Sequence, residues 1–331
     1  VNGRSIEAVR RDAPEPDVEA VRQAAARIAA HVRRTPVLHD ELMDAELGAE
    51  VFFKCENLQR GGAFKLRGAT NAVQSLSAAA AATGVATHSS GNHGTALAIA
   101  AQRRGIPAVV VMPRNTAKVK IAAVRRAGAE VVLCEPGVIA RENALAQVLR
   151  ERRLEVIHPY DDDRVIAGQG TATLEFLAQQ PGLGVLMVPV SGGGLLSGTA
   201  IAAKGTDAAL RVIGTEPAMA DDACRSFRSG ERVVLDAPQT IADGLRASLG
   251  VRNFAIMRRL VDDMVSVSEE AIVAAARLVL EHLKVLIEPS AAVPVAALLE
   301  KKVDTRGARF GIILSGGNLD LDSAHWLIGA P

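Results

Sequence analysis

Cysteine is scarce in this chain of 331 residues, with only Cys55, Cys134 and Cys224. They are too few and too scattered for a disulfide framework, and none forms a CxxC pair, so a reducing cytoplasm is the expected home. Charge of one sign is missing too. The formal net charge is +1 and no basic block stands out, which argues against nucleic acid as a partner. No run of 18 or more apolar residues is present to span a bilayer, and the charged opening VNGRSIEAVRRDAPEP lacks the apolar core of a signal peptide. Aromatics supply only 3% of the residues, yet hydrophobic residues reach 49%, enough for a globular protein of two domains that share an interface.

What is present is an alternation of short apolar strands with longer helical patterns. DVEAVRQAAARIAAHVRR, residues 17–34, sets Val18, Val21, Ala25, Ile28 and Val32 on one helical stripe, and the proline of RRTP stops it. EVFFKCE, GVATHS, PAVVVM, EVVLCEP, VLMVPV, LRVIGTE, DMVSVS and GIILSG then read as strands, most of them followed by a helix. The alanine run in SLSAAAAATG reads as a helix end. Strand and helix repeated this often predict an α/β fold of open, mostly parallel twisted sheets with helices on both faces. A smaller unit is placed at 84–157, with residues 1–83 and 158–331 forming the larger one.

Ligands of such sheets gather where strands end and helices begin. PVSGGGLLSG, Pro189 to Gly198, puts three consecutive glycines there, more than a tight turn requires, and points to a phosphate at a helix N-terminus. Its rival is a dinucleotide fold, because Gly192 and Gly194 fit the first positions of GxGxxG and Glu216 ends the next strand. Ser197 stands at the third glycine position, however. HSSGNHG, His88 to Gly94, crowds two serines, an asparagine and two histidines into one turn, a set of donors suited to a carboxylate. Read singly, His88 is a core histidine and a serine is an N-cap. LSGGNLD, Leu314 to Asp320, closes a buried strand with Ser315, whose hydroxyl either caps the next helix or meets a ligand. In GGAFKLRGA, Lys65 sits among small and apolar residues, either snorkelling over a helix start or desolvated into a base and nucleophile. Phosphate cradle, carboxylate turn, buried hydroxyl and desolvated amine together match the needs of pyridoxal 5′-phosphate.

ENLQRGGAFKLRGATNAV, THSSGNHG, AGQGTATLE, VPVSGGGLLSG, TIADGL, LIEPSAA and LSGGNLD, in this order, resemble the β-family, or fold type II, of pyridoxal-phosphate enzymes. That family includes threonine and serine dehydratases, serine racemase and 3-hydroxyaspartate dehydratases, and its fold is tryptophan synthase β-like. The resemblance implies that Lys65 binds the cofactor covalently with Phe64 packed near its ring. Ser191, Gly192, Gly193, Gly194 and Leu195 hold the phosphate, Asn92 the phenolic oxygen and Ser315 the pyridine nitrogen. Gly244 and Glu288 are carried over as cofactor neighbours. Ser89, Asn92 and His93 hold the substrate carboxylate, and Ser90 faces the lysine across the ring, as in the racemase branch. Arg141 and Tyr160 are further substrate contacts. Glu216, the Ala220 carbonyl and Asp222 match that branch's divalent-metal site, suited to Mg²⁺, with Ca²⁺ or Mn²⁺ as alternatives.

Ala63 stands where serine is common, and Ala247 and Tyr160 replace the serine and asparagine that line the racemase's substrate pocket; those last two favour a dehydratase of a 3-hydroxy-amino acid over an amino-acid racemase. A homodimer is the implied assembly. Because the chain stops soon after His325, no regulatory domain is expected.

Overall fold

The structure is a computed structural model and describes residues 15–89, 91–236 and 238–328; Ser90 lies outside them. The first half of the chain forms α1 (Val18–Ile28), β1 (Val37–Leu38), α2 (Glu41–Leu47), β2 (Glu50–Cys55), α3 (Lys65–Gln74), α4 (Ala78–Thr83), β3 (Val85–His88), α5 (Asn92–Arg104), β4 (Ala108–Pro113), α6 (Lys118–Arg126), β5 (Glu130–Cys134), α7 (Val138–Glu151) and β6 (Glu155–Val156). Then come α8 (Asp163–Gln179), β7 (Val185–Pro189), α9 (Gly194–Thr206), β8 (Arg211–Pro217), α10 (Asp222–Ser229), α11 (Val251–Leu260), β9 (Asp263–Val267), α12 (Glu269–Leu283), α13 (Pro289–Leu299), β10 (Arg309–Leu314) and α14 (His325–Ile328).

Strands that are apolar throughout must be covered on both faces, and two sheets achieve this. The larger has the order β1-β2-β10-β7-β8-β9 and is parallel except for β1, which pairs antiparallel with β2. Helices α2, α12 and α13 close a core over one face, with Phe53, Ile312 and Val293 at its centre; α8, α9, α10 and α11 close the other around Phe176, Val188 and Leu196. The smaller sheet is parallel, in the order β5-β4-β3-β6. Helix α7 covers one face, and α5 and α6 the other. Helix α3 buries Leu66, Ala69 and Val73 in that second core, so the segment that begins with Lys65 packs against the smaller sheet while its loop comes from the larger.

Several local expectations change. The first helix ends at Ile28, not at the proline, because Gln59 clamps the backbone of Arg33, accepting its N–H at 2.8 Å and donating to its carbonyl at 2.8 Å. The alanine run begins a helix of its own, α4, since the Ser77 hydroxyl accepts the Ala80 N–H. DELMDAEL forms α2, started by Asp40 accepting from Met43 N at 2.8 Å. β1 and β6 are two residues each, too short to leave a periodic signal. Among the described residues no helix is long and apolar enough to cross a membrane.

Candidate active site

Three neighbouring strands of the larger sheet, β2, β10 and β7, run parallel, so the loops after Cys55, Leu314 and Pro189 leave the same edge. Those loops carry Lys65, Ser315 and the glycine run. They are stitched together: Phe64 N–H donates to the Ser315 carbonyl at 2.9 Å, Gly317 N–H to the Gly62 carbonyl at 2.9 Å, and Ala63 bridges to Gly316.

The Lys65 side chain is half-buried, with its amine 5.1 Å from the Phe64 ring centroid and donating to the Pro159 carbonyl at 2.9 Å. Among the described residues no carboxylate hydrogen-bonds to it. Desolvation lowers its pKa to about 8, opposed by the through-space charge of Glu288. Glu288 is buried, and burial first, then Asp243, pushes its carboxyl up to about 8. Its Oε1 accepts from Asn92 Nδ2 at 2.8 Å, and Asn92 Oδ1 accepts in turn from Asn318 Nδ2 at 2.9 Å. Asn92 thereby joins the smaller sheet's α5 to the Glu288 and Asn318 loops beside the larger sheet. Gly244 closes the same corner, its N–H donating to Ser290 Oγ at 3.1 Å.

The glycine run is a tight concave turn. Gly193 has φ +91°, a Cβ on Gly192 would lie 2.2 Å from the Tyr160 ring, and one on Gly193 would lie 2.6 Å from Leu249. Asn253 fixes the turn from behind, donating to the carbonyls of Gly192 at 2.8 Å and Tyr160 at 3.0 Å. No side chain caps α9, so its first N–H groups, including that of Leu195, stay available to an anion. The Ser191 hydroxyl is engaged elsewhere: it donates to the Ala247 carbonyl at 3.0 Å and accepts the Ala247 N–H at 3.1 Å. Backbone amides beside a desolvated amine fit a phosphate-bearing aldehyde. The Ser197 oxygen is buried without a partner one turn into α9.

The turn after β3 supplies the opposite wall. Ser89 Oγ accepts the Gly91 N–H at 3.2 Å, and no side chain caps α5. His88 and His93 are buried, each with Nδ1 unpartnered. Burial holds their pKa values down to about 4 and about 3, reinforced at His88 by Arg141 and at His93 by Lys65. Both are therefore neutral donors or acceptors at pH 7. His88 stands edge-on to His158, which stands edge-on to Tyr160, with centroids 5.6 and 4.6 Å apart. Burial raises the Tyr160 phenol to about 12, Asp161 adding to the shift and Arg141 opposing it. Arg141 itself buries an Nε that has no hydrogen-bond partner. Ser90, between Ser89 and Gly91, lies outside the described residues.

Glu216, at the end of β8, and Asp222, at the start of α10, are both buried. Glu216 accepts the N–H groups of Ala223 at 3.2 Å and Cys224 at 2.7 Å, and Asp222 accepts that of Leu249 at 2.9 Å. Burial and then the charge of Asp222 raise Glu216 well above the ordinary carboxylate value; Asp222 rises to about 6, mainly by burial. Ala220 is buried in the short turn between them. Among the described residues no three His, Cys, Asp or Glu side chains converge as a metal cluster, so two acids and a carbonyl are the whole candidate set.

Sequence reasoning missed Asn253 and Asn318. Asn318 lies within LSGGNLD and was open to notice; VRNFAI gives no signal for Asn253, which acts only through the packing of α11 on the glycine turn.

Residues 28–316 match the model of a family described as pyridoxal-phosphate dependent enzyme. The chain is 45% identical to a β-hydroxyaspartate dehydratase of Paracoccus denitrificans (strain Pd 1222), over 94% of this chain and 99% of that protein. It is 46% identical to a serine racemase of Arabidopsis thaliana, over 93% and 94%. A solved maize serine racemase superposes with a TM-score of 0.92 at 43% identity, covering 94% of this chain and 96% of that one. The dinucleotide alternative gives way to this match.

Proposed function

The chain belongs to the family of pyridoxal-phosphate dependent enzymes, and from that premise we propose that it eliminates water from a 3-hydroxy-amino acid, of the serine, threonine or 3-hydroxyaspartate type, to give a 2-oxo acid and ammonia. A bound pyridoxal phosphate supplies an aldehyde for amines and an electron sink for the pair left at Cα. Lys65 is the residue that binds it, and the same amine, once free, takes the α-proton. The N–H groups from Gly192 to Leu195 hold the phosphate, with Ser191 shaping the turn through Ala247. Phe64, Asn92, Gly244, Glu288 and Ser315 would hold the cofactor's ring. Ser89, Asn92 and His93 bind the substrate carboxylate through neutral donors, and the β-hydroxyl departs as water.

The observation that carries the reading is the half-buried Lys65 amine, lowered to about 8 and given no carboxylate hydrogen bond among the described residues, with an uncapped glycine turn at the same end of the parallel strands. The relative named β-hydroxyaspartate dehydratase supports an acidic substrate, whose second carboxylate meets Arg141 and Tyr160. Residues 84–157 then act as the substrate-binding domain, in a cytoplasmic homodimer. Glu216, Asp222 and the Ala220 carbonyl would hold a divalent ion, Mg²⁺ by the hardness of those oxygen ligands, and its charge would relieve the repulsion of two buried acids.

The test is a panel of 3-hydroxy-amino acids of both configurations, assayed for 2-oxo acid with and without a chelator. Release of 2-oxo acid, fastest from the acidic members and slowed by chelation, is expected; no release from any member contradicts the elimination. The relatives named serine racemase favour a second reading, in which Ser90 returns a proton to Cα from the far face. Chiral analysis of recovered substrate separates the two.

A further inference from the structure

The motif AGQGTATLE, on α8, touches neither the amine nor the glycine turn, yet α8 lies between the helices that carry them. At 100° per residue, Gly168, Thr171 and Glu175 form one stripe, and Ile166, Gly170 and Thr173 form another on the opposite side. The first stripe meets α3. A Cβ on Gly168 would stand 2.6 Å from the Gly68 Cα, and Arg67 donates to Thr171 Oγ1 at 3.4 Å and to Glu175 Oε2 at 3.2 Å. Gln169 seals that contact by accepting the Gly68 N–H at 3.1 Å. The second stripe meets α9. A Cβ on Gly170 would stand 2.6 Å from the Gly198 carbonyl oxygen, one on Gly198 would stand 2.4 Å from that of Ile166, and Thr173 hydrogen-bonds Thr199 at 3.0 Å.

Each crossing lies about one turn inside its helix from the functional end: Gly68 follows Lys65 by three residues, and Gly198 follows Gly194 by four. We propose that the Gly168-Gln169-Gly170 triplet is a spacer that sets the distance between the Lys65 amine and the anion turn of α9, which makes Gly168 and Gly170 positioning residues for the cofactor. This rests on the functional reading given above. A methyl group at either position meets backbone first, at 2.6 Å, with Asn71 Cβ at 2.9 Å and Val21 Cγ1 at 3.0 Å, respectively, behind it, so it moves a whole helix. A misplacement of about 1 Å costs on the order of 10²-fold where two groups must engage one ligand.

The test compares G168A and G170A with G205A. Gly205 is also a tight crossing, its Cβ 2.3 Å from the Val18 side chain, but at the far end of α9. For each apoprotein the affinity for pyridoxal phosphate, its competition by inorganic phosphate, the rate of borohydride-trapped adduct formation and the melting temperature are measured. G170A is expected to weaken both cofactor and phosphate binding by tenfold or more. G168A is expected to keep phosphate binding and slow adduct formation by on the order of 10²-fold. G205A is expected to change only the melting temperature. Should G168A or G170A fail to fold, T171V and T173V remove the hydroxyl's hydrogen bonds on each stripe, two at Thr171 and one at Thr173, without added volume, and the same split is expected at several-fold. Variants that track G205A, losing melting temperature alone, overturn the spacer; a wild type that takes up no cofactor overturns the functional reading and the spacer with it.

Discussion

Two lysines flank one loop, Lys54 fully buried and Lys65 half-buried, and desolvation acts on both while their partners differ. Lys54, near the end of β2, is fully buried, and its amine donates to Glu175 at 2.5 Å, Gln179 at 2.5 Å and the Thr35 carbonyl at 2.8 Å. Glu175 also accepts from Arg67, which pairs in turn with Glu56 at 2.7 Å. Lys65, eleven residues on, has a single carbonyl. Desolvation lowers both amines, but at Lys54 two carboxylates pull back toward the charged form, whereas at Lys65 only the distant Glu288 does so. Burial alone therefore does not make an amine reactive. Burial without a hydrogen-bonded anion does, and the spent cation of Lys54 shows what Lys65 has been denied.

The largest effect that sharpens this contrast is on turnover. Lys65→Ala is expected to lower 2-oxo acid formation by at least about 10²- to 10⁴-fold, while Lys54→Met changes kcat of the folded enzyme little. Stability reverses the order. Urea unfolding is expected to show Lys54→Met losing about 3–5 kcal/mol, because Glu175 and Arg67 lose a buried partner, and Lys65→Ala losing nothing. Next is pH. The Lys65 amine sits at about 8 in the fold against its ordinary 10.5, so the unfolded chain holds the extra proton between those values. Stability of the apoprotein should rise with pH across that window and the rise should vanish in Lys65→Ala. Cofactor uptake followed by absorbance should likewise accelerate as pH climbs to about 8 and then level off. The smallest effect comes from Glu288→Gln, which keeps an acceptor for Asn92 but removes the opposing charge. The uptake midpoint should fall, by less than about one pH unit; an upward shift would break the comparison.

Much of this was readable in the sequence because it is local. Continuous apolar strands announced parallel sheets covered on both faces, three glycines announced a tight concave turn at a helix start, and an amine among alanine and leucine stood out at Lys65. The rest depends on chain order being broken. β10, drawn from residues 309–314, inserts between β2 and β7, and that insertion brings Ser315 to Phe64. The Pro159 carbonyl and the Asn253 amide carry no pattern, since what matters is where a distant loop places one polar atom. The Ser191 hydroxyl is held by the Ala247 backbone, another pairing that no local pattern announces.

The most direct measurement is peptide mapping after the protein, supplied with pyridoxal phosphate, is reduced with borohydride. The account predicts a single modified lysine, Lys65, with Lys54 untouched; a protein that carries no adduct, or carries it on another lysine, contradicts it.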